Sequence, residues 1–254
     1  MNNNNLQPAF ILFSRPFQDN SVIIDVFSPA VGRFGIVVKH VRASSRNQGN
    51  RNQQRRALLQ PFVPVQLSWQ GRGELKSLLQ IEADGASLQL QGERLFSGLY
   101  LNELLTRLLH RYDPHPDLYH YYIDALHGLA GDQSLEWILR RFELQLLNEL
   151  GYGVDLVCDG VDGSPLSPAT DYRLTRDDGF LPVYHESQTA QNKNTFRGVD
   201  LLALAAGEES EHLRPVAKRL CRLLLAPHLG DKPLQSRELM RALAMPVVST
   251  QVKA

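Results

Sequence analysis

The sequence predicts an α+β protein in which a small N-terminal β-barrel precedes a larger, mainly α-helical domain with an irregular insertion. Three observations support this class. Residues 1–82 contain short runs of β-branched and aromatic residues that are separated by turn residues. From Gly92 onward, apolar residues recur with the helical period of about 3.6 residues. Between about residues 152 and 197 the chain is rich in Gly, Pro, Asp and Ser, and this period is lost.

The first predicted domain, residues 1–82, contains five short strands. They lie at residues 10–13, 21–27, 33–39, 62–69 and 75–82, and turn residues divide them at 16–20, 28–32 and 71–73. Five strands over this length suit a small closed barrel of the oligonucleotide-binding (OB) kind. A small sandwich or an SH3-like barrel would give much the same pattern, so the strand pattern leaves these alternatives open.

The second predicted domain, residues 83–254, is mainly helical. Apolar stripes predict helices at residues 95–109, 116–129 and 134–150, and further helices after Gly198, at 214–226 and after Ser236. Ser134 is a suitable N-cap for the third helix, and Gly151 is a suitable residue to end it. The insertion at about 152–197 is expected to be irregular.

The formal net charge is zero, but the charges are segregated along the chain. Residues 1–80 hold ten Lys/Arg and three Asp/Glu, a balance of +7, whereas the remainder holds 17 and 24, a balance of −7. Residues 31–60 contain seven basic side chains and no acidic one. Such a run attracts polyanions, because each cation beside a phosphate releases condensed counterions. A solvated loop is the alternative interpretation, but the position of the run inside a β module favours nucleic-acid binding.

Motifs for nucleotide hydrolysis, metal binding and nucleophilic catalysis are absent from the sequence. It has no phosphate-binding loop motif and no GxGxxG after a strand, so use of ATP is not expected. The histidines lack the spacing that stacks two metal ligands on one helix face. The N-terminus does not resemble a secretory signal, and no stretch approaches the roughly 20 apolar residues of a membrane span. We therefore expect a cytosolic protein that is not an enzyme and has no cofactor.

A series of short stretches occurs in order along nearly the whole chain. They are AFIL at 9–12, SRP at 14–16, DVF at 25–27, GR at 32–33, VKHVR at 38–42, LQPF at 59–62, GRGELK at 71–76, SGLYLNEL at 97–104, RRFEL at 140–144, LGYG at 150–153, KPL at 232–234 and SREL at 236–239. No single stretch is decisive, but their ordered sum is highly specific. Together they resemble the RecO family of bacterial recombination mediators.

This resemblance implies an OB barrel followed by a helical domain that receives protein partners. It implies binding of single- and double-stranded DNA, annealing of complementary strands without ATP, and binding of the acidic C-terminal tail of single-stranded DNA-binding protein (SSB). With the partner RecR, proteins of this family help to load RecA onto SSB-coated DNA in the RecFOR pathway of recombination after DNA damage. A cytoplasmic, nucleoid-associated protein is expected.

The DNA-binding surface is predicted on the barrel. Lys39 and Arg42, at the end of the third strand, are expected to grip phosphates, which positions DNA without reading its sequence. The residues expected to extend this surface are Arg33, Arg46, Arg51, Arg55, Arg56, Arg72 and Lys76. Phe34 or Trp69 would suit base stacking, but filling of the barrel interior is the favoured interpretation of both.

The SSB-tail site is predicted on the helix at residues 134–150. Phe142 and Leu146 lie on its apolar stripe, and Arg140 and Arg141 flank them, so one surface would offer an apolar slot with a cationic rim. The resemblance implies that Arg140 supplies a charge to the tail. The alternative interpretation is that both arginines only form salt bridges with acidic residues nearby.

One departure from the family concerns zinc. Many relatives carry two CxxC pairs in the insertion that bind zinc, whereas here Cys158 keeps only the first position and no other cysteine precedes Cys221. The chain therefore resembles the zinc-free branch, no metal is expected, and both cysteines are predicted to be buried thiols.

Two rival functions stay open. A general OB-fold module that binds RNA or DNA would share the barrel and the basic run. A protein adaptor without annealing activity would leave the basic run unused.

Overall fold

The computed structural model describes residues 3–39, 41, 49–184 and 193–244. The elements follow the order β1 (Asn3–Phe17), β2 (Ser21–Ser28), β3 (Gly32–Val38), α1 (Gly49–Leu58), β4 (Pro64–Gln70), β5 (Leu75–Ala83), α2 (Gly92–Leu108), α3 (Pro116–Ala130), α4 (Leu135–Glu149), β6 (Asp171–Leu174), β7 (Phe180–Val183), β8 (Thr195–Arg197), α5 (Gly198–Ala205), α6 (Leu213–Leu229) and α7 (Gln235–Ala244). The predicted α+β class, an OB-like barrel followed by a helical region, is confirmed.

The chain packs as two compact units. One unit contains the strands β1–β5 with the helices α1–α3 and α7, and the other contains α4–α6 with the strands β6–β8. The domain boundary predicted at residue 82 separates two segments that are expected to fold independently. This boundary stays a prediction, because compact packing alone does not show which segments fold independently.

Strands β1–β5 form a closed barrel in the order β1-β2-β3-β5-β4. Neighbouring strands are antiparallel, except that β3 and β5 run parallel with Gly35 opposite Leu75. A closed barrel has no open sheet edge, so the sandwich alternative is excluded. Apolar side chains from all five strands fill the interior. Phe34 and Trp69 belong to this filling, since both are buried and their ring centroids lie 4.8 Å apart, as the favoured interpretation predicted.

Strand β1 contains a β-bulge that changes which side chains face outward. Ile11 pairs with Val26, but Phe13 pairs with Asp25, and Leu12 falls between the two pairs. Ile11 is completely buried in the barrel, whereas Phe13 is 53% exposed. A strict alternation of side chains would have placed both on the same face.

Helices α2 and α3 hold this bulge from outside the barrel. Asn102 of α2 donates a hydrogen bond from Nδ2 to the carbonyl oxygen of Leu12 at 2.9 Å, and its Oδ1 accepts one from the Tyr122 hydroxyl of α3 at 2.6 Å. The rings of Tyr119 and Tyr122 pack against aromatic side chains of β1 and β2. The buried polar pair is therefore satisfied, and it fixes the backbone at the bulge.

The last described helix, α7, is fastened to α2 through Glu103. Its carboxylate accepts hydrogen bonds from the backbone N–H groups of Gln235 and Ser236, both at 2.9 Å, and from the Ser236 hydroxyl at 2.7 Å. Arg107 lies 2.8 Å from the same carboxylate. Burial raises the pKa of Glu103, but these hydrogen bonds and Arg107 outweigh it and lower the pKa overall. An ionised carboxylate thus caps the start of α7.

The second unit contains more regular structure than the sequence predicted. α4 packs against α6, and Trp137, Leu213 and Ala217 form a small core. The insertion is not irregular throughout, because β7, β6 and β8 form a three-stranded antiparallel sheet. Strands of three or four residues are too short to show a period in sequence.

Two further findings concern the helices. The basic run at residues 31–60 contains α1, a helix that was not predicted although its Gln, Arg and Ala residues favour it by helix propensity. In the described part of the chain, no helix has the length and apolar character needed to cross a membrane.

Candidate nucleic-acid interface

The outward-facing side of β1, β2, β3 and β5, called here the outer face, is the candidate interface. Phe13 lies opposite Asp25, Asp25 opposite Gly35, and Gly35 opposite Leu75. Since neighbouring strands lie about 4.8 Å apart, this row spans about 14 Å. Both residues at its ends are exposed and apolar, with 53% exposure at Phe13 and 41% at Leu75.

A charged cluster of Asp25, Arg33 and Arg111 lies at the centre of the outer face. The Asp25 carboxylate accepts hydrogen bonds from Arg33 Nε and Nη2, both at 3.0 Å, and lies 3.5 Å from Arg111 Nη2. Two guanidinium groups share one carboxylate, so the cluster keeps a net charge of about +1. The Arg33 side chain is 13% exposed and that of Arg111 is 39% exposed. Arg111 is therefore the more accessible cation, whereas the predicted contact Arg33 serves mainly to bind Asp25.

The chain between α2 and α3 fixes the position of Arg111. Tyr112 donates a backbone hydrogen bond to the carbonyl oxygen of Arg33 at 2.9 Å. Gly32 permits this close approach, because a Cβ there would lie 1.9 Å from the carbonyl oxygen of Asp113. A Cβ on Gly35 would in turn lie 3.0 Å from Arg111 Nη1. The two glycines thus leave room for this segment to lie against β3.

Two further cations flank β2 near its start. Lys39 follows Val38, which pairs with Val22, and Arg15 pairs with Ile23 on the opposite side of β2. Both cations are exposed, and within the described residues neither forms an ion pair. The predicted contact Lys39 is therefore open to a phosphate, and the outer face carries cations at its centre and at both sides of β2.

The other two predicted residues near β5 differ from each other. Arg72 is exposed in the turn between β4 and β5. Lys76 is only 7% exposed, its ammonium donates to the carbonyl oxygens of Gly71 at 3.3 Å and Gly73 at 2.9 Å, and it lies 5.1 Å from the centre of the Tyr112 ring. These contacts stabilise the turn. A phosphate contact by Lys76 stays a prediction.

The structure describes only part of the basic run. Outside the described residues lie Arg42, Arg46 and the side chain of Arg51. Arg55 is half-buried on α1, and Arg56 donates from Nε to the carbonyl oxygen of Val41 at 2.7 Å. The backbone N–H of Val41 donates to the carbonyl oxygen of Asn20 at 3.0 Å. Arg56 thereby links α1 to the chain that follows β3.

Sequence reasoning missed three residues of the outer face: Phe13, Arg15 and Arg111. Arg15 had a signal, since it lies in one of the stretches that resemble the family, but it lies outside the basic run. Arg111 follows a helix and gave no signal of its own. Simple alternation along β1 would place Phe13 on the same face as Ile11, and the bulge reverses this.

The residues predicted to bind an SSB tail lie on α4, but they do not form an open slot in this structure. Phe142 is 1% exposed and Leu146 is completely buried. The Arg140 side chain is 11% exposed, and its Nη1 lies 2.8 Å from the carboxylate of the buried Glu143. Arg141 is different, because 58% of its side chain is exposed. Phe142 and Leu146 therefore pack in the core. Of the four predicted residues, Arg141 is the one whose side chain is largely exposed.

The two cysteines differ in burial. Cys221 is buried as predicted, whereas Cys158 is half-buried. Burial and the neighbouring Asp155 raise the pKa of the Cys158 thiol. Among the described residues, no group of three or more His, Cys, Asp or Glu side chains is placed to hold a metal ion. Freedom from zinc stays a prediction.

Comparison with known protein families gives two matches that together span most of the chain. A model described as "Recombination protein O N terminal" matches residues 1–85, and one described as "Recombination protein O C terminal" matches residues 89–238. The first match covers the barrel, and the second covers α2–α6 and the start of α7.

Similar proteins are found in several bacteria. The chain is 40% identical to the DNA repair protein RecO of Haemophilus influenzae (strain PittGG) over 235 residues, which are 92% of this chain and 94% of that protein. It is 41% identical to the DNA repair protein RecO of Pseudomonas aeruginosa (strain LESB58) over 92% of this chain and 93% of that protein. Identity to the DNA repair protein RecO of Stutzerimonas stutzeri (strain A1501) is also 41%, over 92% of both chains.

Proposed function

Because this chain belongs to the recombination protein O (RecO) family of DNA repair proteins, we propose that it is a recombination mediator. In this proposal it binds single- and double-stranded DNA and anneals complementary strands without ATP. With RecR it promotes loading of RecA onto SSB-coated single-stranded DNA. It would act in the cytoplasm, on the nucleoid.

The observation that carries the proposal is the cationic outer face of the barrel. Lys39, Arg15 and Arg111 are exposed there, and the one acidic residue in the central row, Asp25, is outnumbered by two arginines. Each phosphate bound by a cation releases counterions, and this favours binding without regard to base sequence. An interface of this kind suits a protein that acts wherever DNA is damaged.

Annealing follows from the same electrostatics. Two complementary strands repel each other through their phosphates, and a common cationic surface reduces that repulsion until base pairs form. No covalent bond is made or broken in this process. We therefore assign no catalytic residue and propose that the protein is not an enzyme.

The proposed contact with SSB involves α4. Arg141 forms an exposed salt bridge with Glu209, and such surface pairs contribute only about 0–1 kcal/mol. An acidic peptide can therefore replace Glu209 at little cost. Arg140 is held by the buried Glu143 and would contribute mainly by fixing the position of α4. We propose no surface for RecR.

Annealing of complementary oligonucleotides coated with SSB, measured without ATP, tests this function. We expect the protein to accelerate annealing and to do so less at high salt. An unchanged annealing rate, with RNA bound as tightly as DNA, would favour a general nucleic-acid-binding module. Absence of binding to any polyanion at low salt would favour a protein adaptor.

A further inference from the structure

We propose that the Phe13 ring stacks on an unpaired base, so that the outer face binds single-stranded nucleic acid in preference to duplex. The inference rests on the proposed function. It adds a specific residue and a preference for single strands, which the positive charge of the surface does not explain. A cationic surface attracts single and double strands alike. A planar ring open to solvent distinguishes them, because bases in a duplex are already stacked on one another.

The first observation is that the Phe13 ring is exposed, whereas most aromatic rings on the barrel strands are buried. It is 53% exposed, while Phe10, Phe27, Phe34 and Trp69 on the barrel strands are at most 3% exposed and Phe17, at the end of β1, is partly buried. A single exposed apolar residue is common and carries no meaning alone. The meaning comes from what surrounds Phe13.

The second observation is that cations lie beside the ring. Phe13 is opposite Asp25, whose carboxylate is shared by two guanidinium groups, and Arg111 is the accessible one of these. Arg15 lies two residues further along β1 and is also exposed. A nucleotide whose base stacks on Phe13 therefore finds one cation for its phosphate in Arg111, on the chain between α2 and α3, and another in Arg15, on the same strand as Phe13. Single-strand binding proteins generally combine aromatic rings with nearby cations in this way.

The third observation is that the bulge which turns Phe13 outward is built into the fold. The carbonyl oxygen of Leu12, at the bulge, is bound by the buried Asn102, and Asn102 is bound by the buried Tyr122. Bulges commonly re-aim a side chain beside a functional site. Two helices outside the barrel thus hold the backbone in the conformation that exposes the ring.

Three variants test the proposal, with binding measured on an oligothymidylate and on a duplex of equal length. Phe13→Leu keeps an apolar side chain but removes the aromatic face, and we expect single-strand affinity to fall about five- to a hundred-fold with duplex affinity unchanged. Phe13→Trp keeps the aromatic face, and we expect it to retain affinity. Leu239→Ala, at a residue of similar exposure on α7, is the matched control and should bind as the parent does.

Tryptophan emission gives a direct signal of stacking. In Phe13→Trp we expect quenching on addition of the oligothymidylate and none on addition of duplex. The native Trp69 and Trp137 are buried, so the parent protein should show little change. Circular dichroism of each variant confirms that the barrel is folded.

The outcomes separate this proposal from the function on which it rests. If the parent protein binds no DNA, the proposed function fails. If the parent binds single strands while Phe13→Leu binds equally well and Phe13→Trp is not quenched, stacking by Phe13 is overturned and the proposed function stands. A change in self-association of Phe13→Leu, with unchanged DNA binding, would instead make the outer face a contact between protein chains.

Discussion

The salt dependence of DNA binding is expected to depend on Lys39 and Arg111. Replacing both with alanine removes two exposed cations from the outer face while leaving the pair between Arg33 and Asp25 in place. The fold should survive, because Lys39 has no ion pair among the described residues and the contact of Arg111 with Asp25 is partly exposed.

The magnitude follows from counterion release. Each phosphate contact contributes a slope of about −0.7 in log K against log salt for single strands. Loss of two contacts should flatten the slope by about 1.4 units, which corresponds to about 25-fold weaker binding at 0.1 M salt and about tenfold at 0.2 M, relative to equal affinity at 1 M. The double variant should therefore differ most from the parent at low salt.

Fluorescence anisotropy of a labelled oligonucleotide at several salt concentrations measures this slope. Arg173→Ala is the matched control, because Arg173 is an exposed arginine on β6, outside the barrel. The control should keep the parent slope. An unchanged slope in the double variant, with its fold intact, would refute the assignment of phosphate binding to the outer face.

Three further predictions follow from the other contacts. Glu103→Ala should remove the cap of α7 and cost about 1 kcal/mol, seen as faster hydrogen exchange in α7 with the barrel unchanged. Folding lowers the pKa of Glu103, so the ionised carboxylate stabilises the fold above its ordinary value of 4.5, and this stabilisation is lost as pH falls below that value. Acid should therefore loosen α7 in the parent, whereas it should not loosen α7 further in the Glu103→Ala variant. Arg141→Ala should weaken binding of an SSB tail peptide by up to about 1 kcal/mol, since Arg141 is largely exposed, and should leave DNA binding intact. Arg140→Ala should instead lower the unfolding temperature, because it removes the cation that lies against the buried Glu143. Equal tail affinity in both variants and the parent would remove α4 from the site. Elemental analysis should find no stoichiometric zinc, and a chelator should leave the unfolding temperature unchanged, whereas one zinc per chain would contradict the prediction.

The sequence by itself determined the class of the fold and the family. The β-branched and aromatic runs of the first 82 residues predicted the strands, because turn residues divide them. The helical period after Gly92 predicted most helices, because each of these helices buries one apolar side. Charge segregation predicted which part of the chain is cationic. Local patterns failed at α1, which has no clear apolar stripe, and at β6–β8, which are too short to show a period.

Tertiary structure decided which of the basic and aromatic residues remain open to a ligand. Arg33 and Lys76 count as cations in the sequence, but one is bound to Asp25 and the other to the carbonyl oxygens of a turn. Arg111 lies on the outer face because the chain between α2 and α3 contacts β3, which is far from it in sequence. Phe13 faces outward because of one bulge, and a single extra residue in a strand reverses the side on which every later side chain lies. Composition and hydrophobic period do not predict this bulge or these contacts, because both depend on residues that come together only in the folded chain.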